Sequence, residues 1–156
     1  MPDMLVPLYR LSGTSELMAK LEKKGISIRP GLAPEKHLIT AFAGDNFSEA
    51  WGSEVAVCFG KTPVSCILAI KDKKVIGFAC YDAIKLGFFG PTGVLPEYRG
   101  GGVGKALLLI TLETQKHLGY AYSIIGGAGP VEFYQKAVNA IPVPESEPGI
   151  YADMLK

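Results

Sequence analysis

The chain has 156 residues, 48% of them apolar, with 16 basic and 15 acidic side chains and a formal net charge of +1. That length fits a single domain able to bury roughly 70% of its unfolded surface. The charge balance argues against a whole-protein nucleic-acid binder, and ordinary charged and aromatic content rules out general disorder.

Cys58, Cys66 and Cys80 form no Cys-x-x-Cys pair. They read as small buried hydrophobes in a reducing compartment. His37 and His117 lie far apart, so no zinc-type ligand set and no metal is expected. The longest strictly apolar runs have five residues, far short of the roughly 20 that span a bilayer. Met1-Pro2-Asp3-Met4 does not open a secretory leader, so a cytoplasmic location is expected.

Residues 1–11 look extended. Ser12 to Thr14 offer caps for a helix over 15–24, acidic early and lysine-rich late, which Gly25 ends. A short strand follows over 26–29. Helices are expected over 34–43, with Gly44-Asp45-Asn46 as breaker, and over 48–59, with Ser48 as cap. Trp51 in the second reads as a core anchor. Then the period changes. Segments 64–71 and 74–83 form a hairpin about Asp72-Lys73. Segment 85–94 is a third meander strand, kinked at Gly90-Pro91, with Phe88 and Phe89 on opposite faces. A helix should run from the glycine run to about Leu118, with Gly119 as its cap and His117 offsetting its dipole. A strand over 121–125, a glycine loop, a helix from Pro130 to about Val138, and strand candidates over 140–143 and 149–155 complete the chain.

The chemistry is concentrated in Val94-Leu95-Pro96-Glu97-Tyr98-Arg99-Gly100-Gly101-Gly102-Val103-Gly104-Lys105. A kinked strand enters a loop with four glycines, and that loop opens a helix. Amides at a helix start lack intrahelical partners, and the dipole there favours an anion. Glycine permits close approach, and Arg99 and Lys105 add positive charge, which suits a phosphate or pyrophosphate. The Walker spacing fails at Arg99 and Ala106, and the dinucleotide fingerprint fails at Lys105 and Leu107. Arg-x-x-Gly-x-Gly fits, as Arg99, Gly102 and Gly104.

In this context, residues 94–108 resemble the acyl-CoA pyrophosphate motif of the GNAT superfamily of N-acetyltransferases. Pro130-Val131-Glu132-Phe133-Tyr134-Gln135-Lys136 resembles the helix that follows the fifth strand in those enzymes, and Tyr151-Ala152-Asp153-Met154-Leu155 resembles their closing strand. The resemblance implies an α/β (α+β) fold. Its sheet would be mixed, mostly antiparallel and flanked by helices, with the fourth (85–94) and fifth (121–125) strands splayed apart. Residues 1–156 would form one acetyltransferase domain, with 1–25 as an accessory element.

The same resemblance implies that acetyl-CoA is the co-substrate. Amides of Gly100, Gly101, Gly102, Val103 and Gly104 would hold its pyrophosphate, with Arg99 and Lys105 beside it. The backbone of Val94 and Leu95 would pair with the pantetheine arm. An N–H near Thr92 or Gly93 would polarise the thioester carbonyl, and Tyr134 would protonate the departing thiolate. The acetyl group would pass directly to a primary amine on a small molecule or peptide within a ternary complex. Neither nucleic acid nor membrane is an expected partner, whereas such folds commonly form homodimers.

Three departures stand out. Gly127 replaces the cofactor-contacting asparagine common in the family, Pro130 replaces a small helix residue, and the fourth strand has no carboxylate. The general base is therefore open among Glu54, Asp82, Glu132 and a relayed water. The same gap motivates a second reading, a non-catalytic acyl-CoA-binding or regulatory module.

Overall fold

A computed structural model describes all of residues 1–156. In chain order the elements are β1 (Met4–Pro7), α1 (Ser15–Lys23), β2 (Ile26–Pro30), α2 (Lys36–Asn46), α3 (Glu49–Phe59), β3 (Cys66–Lys71), β4 (Lys74–Tyr81), β5 (Phe88–Val94), α4 (Val103–His117), β6 (Tyr122–Ile125), α5 (Val131–Val138) and β7 (Ile141–Pro142). Seven strands form one sheet in the order β2-β3-β4-β5-β6-β1-β7. Every pairing is antiparallel except β5 with β6. This is the expected mixed α/β architecture, and the strands expected to splay are β5 and β6.

Local chemistry explains the main boundaries. The Ser48 hydroxyl accepts the Trp51 N–H at 3.2 Å and starts α3. Asp72 and Lys73 adopt φ of 51° and 62°, the twist that a two-residue hairpin turn requires. Both sheet faces are covered. Cys66, Leu68, Phe78 and Cys80 pack with α2 and α3 in one core, while Ile67, Ala69 and Ala79 join α4 in the other. The cysteines are free and buried, and burial pushes the Cys80 thiol well up.

Three expectations need correction. Helix α2 continues through Gly44-Asp45-Asn46, because packing against α3 overrides the weak propensity of those residues. Segment 149–155 forms no strand, only a 3-10 turn at Gly149–Tyr151. The reason is that β1 already occupies the sheet position between β6 and β7, from Met4 opposite Ile125 to Pro7 opposite Tyr122. The first 25 residues thus supply an interior strand as well as a helix. Met4, Val6, Leu8 and Leu21 are 0% exposed in the larger core.

The N-terminal strand is also tied to the tail and to a loop. The Asp3 N–H donates to Ser146 Oγ at 2.9 Å, and Asp3 Oδ1 accepts the Gly127 N–H at 2.8 Å. Asp3→Ala should cost about 2 kcal/mol by losing the hydrogen bond to a charged, buried acceptor. Thermal unfolding should register a fall of roughly 5 °C in Tm.

Candidate active site

The glycine loop is built as an anion cradle. Gly100 and Gly102 take φ of 81° and 94°, left-handed values that L side chains disfavour. They turn the chain so that α4 starts with its amides outward. Ala106 is the first residue of the helix whose N–H is used, by Gly102 O at 2.9 Å, and none of the six amides from 100 to 105 bonds to a backbone carbonyl. A shallow cleft of about 430 Å³ lies beside them, lined by Gly100, Gly101, Arg99, Lys24 and Lys71. Free amides at Gly100, Gly101 and Val103 with three cations around one opening fit an anion such as a diphosphate.

Arg99 lies between this cleft and a second one. Its Nε donates to Val94 O at 3.0 Å, which ties the loop back to β5. Lys105, by contrast, is exposed and outside both clefts. Lys24 lines the first cleft instead. A Cβ on Gly101 would stand 3.4 Å from Lys24 Nζ, so the ammonium lies over the loop.

The second cleft is the split itself. Strands β5 and β6 pair only at Phe88 with Ile124 and Phe89 with Ile125, and then part. The opening measures about 460 Å³ and continues into a smaller pocket of about 110 Å³. Trp51, Thr92, Gly129 and Tyr134 border both. Register decides which amides face it. The Leu95 N–H donates to Ile76 O at 2.9 Å, so Leu95 faces β4 and is not free for an added strand. Antiparallel alternation then turns Gly93, opposite Phe78, toward β4 as well, and turns Thr92 and Val94 toward the gap. Of the four backbone positions expected at the gap, Thr92 and Val94 face it, and Leu95 and Gly93 do not. Gly93 has a different constraint: a Cβ there would meet the Phe47 ring at 2.5 Å.

Tyr134, on α5, is 7% exposed and borders both parts of the split. Burial alone raises its phenol pKa, so the hydroxyl keeps its proton at neutral pH. Trp51 stacks on Phe47 with centroids 5.2 Å apart and meets Phe78 edge-on at 6.2 Å. It is both the anchor expected from the sequence and a wall of the cleft. Among the carboxylates, Asp82 is occupied: Oδ1 accepts the Gly87 N–H at 2.7 Å and Oδ2 the Tyr120 hydroxyl at 3.0 Å. Glu132 is exposed at the start of α5. Glu54 is half-buried, and burial raises its pKa. No group of three or more His, Cys, Asp or Glu side chains is arranged to hold a metal ion, and no helix is long and apolar enough to cross a membrane.

The sequence reading missed Lys24 and Lys71. A lysine closing the helix before Gly25 looks like any solvated helix end, and only the fold brings it over the glycine loop.

A free-amide loop at the head of a central helix, beside two parted parallel strands, joins an anion-binding opening to a cleft in the sheet. The model of the acetyltransferase (GNAT) family matches residues 34–138, and the chain belongs to that family. A search of curated proteins finds no match. Among solved structures, a glucosamine N-acetyltransferase region of a fungal multi-domain β-N-acetylglucosaminidase is similar at a TM-score of 0.74 and 17% identity. That similarity covers 91% of this chain and 19% of the fungal one. A GCN5-related N-acetyltransferase from Sphaerobacter thermophilus gives 0.65 and 16%, over 91% and 48% of the two chains. A GNAT family acetyltransferase from Brucella melitensis in complex with acetyl-CoA gives 0.54 and 21%, over 71% and 80%. The chain therefore spans about a fifth and about half of the first two. At these identities the likeness concerns the fold.

Proposed function

We propose that this protein is an acetyl-CoA-dependent N-acetyltransferase acting on a primary amine by direct attack in a ternary complex. The observation that carries the reading is the run of six unpaired amides from 100 to 105 beside an opening that ends at the buried, protonated Tyr134. Family membership and a similar fold crystallised with acetyl-CoA support it.

When bound, acetyl-CoA supplies an activated thioester. The amides of Gly100, Gly101, Gly102, Val103, Gly104 and Lys105 hold the diphosphate, with Lys24, Lys71 and Arg99 neutralising its charge. The Val94 N–H pairs with the pantetheine arm as an edge strand would. The Thr92 N–H faces the thioester carbonyl and stabilises negative charge on its oxygen. Its side chain is fixed by donation to Phe78 O at 3.0 Å. Tyr134 gives its proton to the departing sulfur, whose conjugate acid has a pKa near that of a phenol. The cysteines stay out of the chemistry, because all three are buried in the core facing α2 and α3.

The missing carboxylate on β5 favours a second reading, a module that binds acyl-CoA without turnover. Calorimetry with acetyl-CoA and CoA, followed by thiol release across a panel of amines, separates the two. Binding with turnover supports the enzyme. Binding with no turnover on any amine supports the module, and no binding removes both. Lys24→Glu should weaken acetyl-CoA binding about tenfold, or about 1.4 kcal/mol, and leave kcat at saturation unchanged. Calorimetry together with saturation kinetics checks this.

A further inference from the structure

We infer that the narrow end of the split is a pocket for the acyl chain, and that it takes a propionyl or butyryl thioester of CoA in preference to an acetyl one. The inference rests on the reading of the loop and the split as a CoA site given above, and it concerns the group carried on the sulfur.

The space exists because the chain withholds side chains there. The smaller pocket is bordered by Phe89, Gly90 and Pro91 on β5 and by Ile125 and the loop 126–129 after β6. That loop reads Gly-Gly-Ala-Gly. A Cβ on Gly90 or on Gly127 would meet no heavy atom within 4 Å, so both stand beside open space. Phe89 and Ile125, 1% and 2% exposed, close the narrow end, because theirs is the last residue pair that joins the two strands.

Order along β5 says what enters this space. The diphosphate loop follows Val94, and Val94 and Thr92 turn their amides toward the gap. An arm lying along Val94 brings its thioester carbonyl to Thr92. The next bond on that line runs toward Pro91 and Gly90, where the smaller pocket lies. The acceptor is left the wide end, where Phe47, Leu108 and Phe133 join the lining.

The lining suits hydrocarbon. Trp51, Phe89, Pro91, Ile125 and Ala128 are apolar, and Thr92 and Tyr134 are the polar exceptions. Thr92 Oγ1 already donates to Phe78 O, and the Tyr134 hydroxyl is assigned to the sulfur. The loop amides are engaged elsewhere: Gly126 N–H donates to Phe89 O at 3.4 Å, Gly127 N–H to Asp3 Oδ1 at 2.8 Å and Ala128 N–H to Pro2 O at 2.8 Å. Pro91 has no N–H to offer. A charged guest would lose its water without replacement, whereas an alkyl chain loses nothing. An apolar cavity of about 150 Å³ takes up a benzene ring, so the about 110 Å³ here has room for roughly four carbons. An acetyl methyl fills only part of it.

The chemistry at the thioester is that of any acyl group. The amine nitrogen pair forms the C–N bond, and the C–S pair leaves with the sulfur. The sulfur takes the Tyr134 proton, and the proton released from nitrogen restores the phenol.

The test is calorimetric binding of CoA and of acetyl-, butyryl-, hexanoyl- and octanoyl-CoA. Each buried methylene should tighten binding about fourfold, so butyryl-CoA should bind about tenfold or more above acetyl-CoA. Octanoyl-CoA, too long for the pocket, should fall at least about tenfold below butyryl-CoA. Ala128→Val narrows the pocket and should cost butyryl-CoA at least about tenfold more affinity than acetyl-CoA. If Ala128→Val does not fold, Ile125→Val replaces it, and the methyl removed should favour hexanoyl-CoA over acetyl-CoA by about threefold relative to the wild type. Butyryl-CoA bound no tighter than acetyl-CoA, affinity rising evenly through octanoyl-CoA, or a variant that shifts all donors equally would overturn the inference while CoA still binds. Failure of the underlying reading is distinct, because it appears as a wild type that binds neither CoA nor any of its thioesters.

Discussion

Tyr134→Phe should bind acetyl-CoA as well as the wild type and turn over about 100- to 1,000-fold more slowly. The ring is 7% exposed and fills its place on α5, so removing only the hydroxyl keeps the packing. What goes is the proton source beside the split. Desolvation is the sole cause of its raised pKa, which means that no neighbouring charge holds the phenol in its ionised form. In the wild type, activity should fall at alkaline pH as the phenol ionises, and that limb should be missing from the residual activity of the variant. Single-turnover kinetics with calorimetric affinities would check both points. A variant with full kcat would assign Tyr134 to packing alone.

Gly102→Val should reduce acetyl-CoA affinity about 100-fold or more. The backbone at φ of 94° is left-handed, which costs an L residue roughly 1–2 kcal/mol. A Cβ would also meet Leu17 Cδ1 at 2.7 Å, on a helix packed against the loop. The Leu17 side chain can shift, but the left-handed strain is relieved only by turning the peptides on either side, and those carry the free amides of the loop. Two lost charge-assisted hydrogen bonds account for the rest of the loss. Near-normal calorimetric affinity in a folded Gly102→Val would show that the loop is not the anchor.

The legible parts of this chain were those where one local segment carries the whole signal. The strand–glycine–helix run from Val94 to Lys105 could be read directly, because free amides and φ above zero are properties of neighbouring residues. The hairpin about Asp72-Lys73 was legible for the same reason. What escaped depends on assembly. The strand beside β6 comes from Met4–Pro7, within a segment read only as extended, whereas the resemblance placed a closing strand at 151–155. Lys24 differs from Lys20 and Lys23 only by where α1 lands. Thr92 and Gly93 could not be separated until the register with β4 fixed which amide turns outward.

This register links fold to chemistry. The Leu95 amide is spent on Ile76, so β5 can offer only alternate residues to a guest strand. The split opens where β6 leaves β5 after two residue pairs while staying paired with β1 on its other side.

The most direct measurement is a crystal structure of the protein grown with acetyl-CoA. The account predicts the diphosphate on the amides of residues 100–105, the pantetheine arm along Val94, and the sulfur within hydrogen-bond reach of the Tyr134 hydroxyl. Acetyl-CoA bound elsewhere, or β5 and β6 closed along their length with the loop amides unengaged, would contradict it.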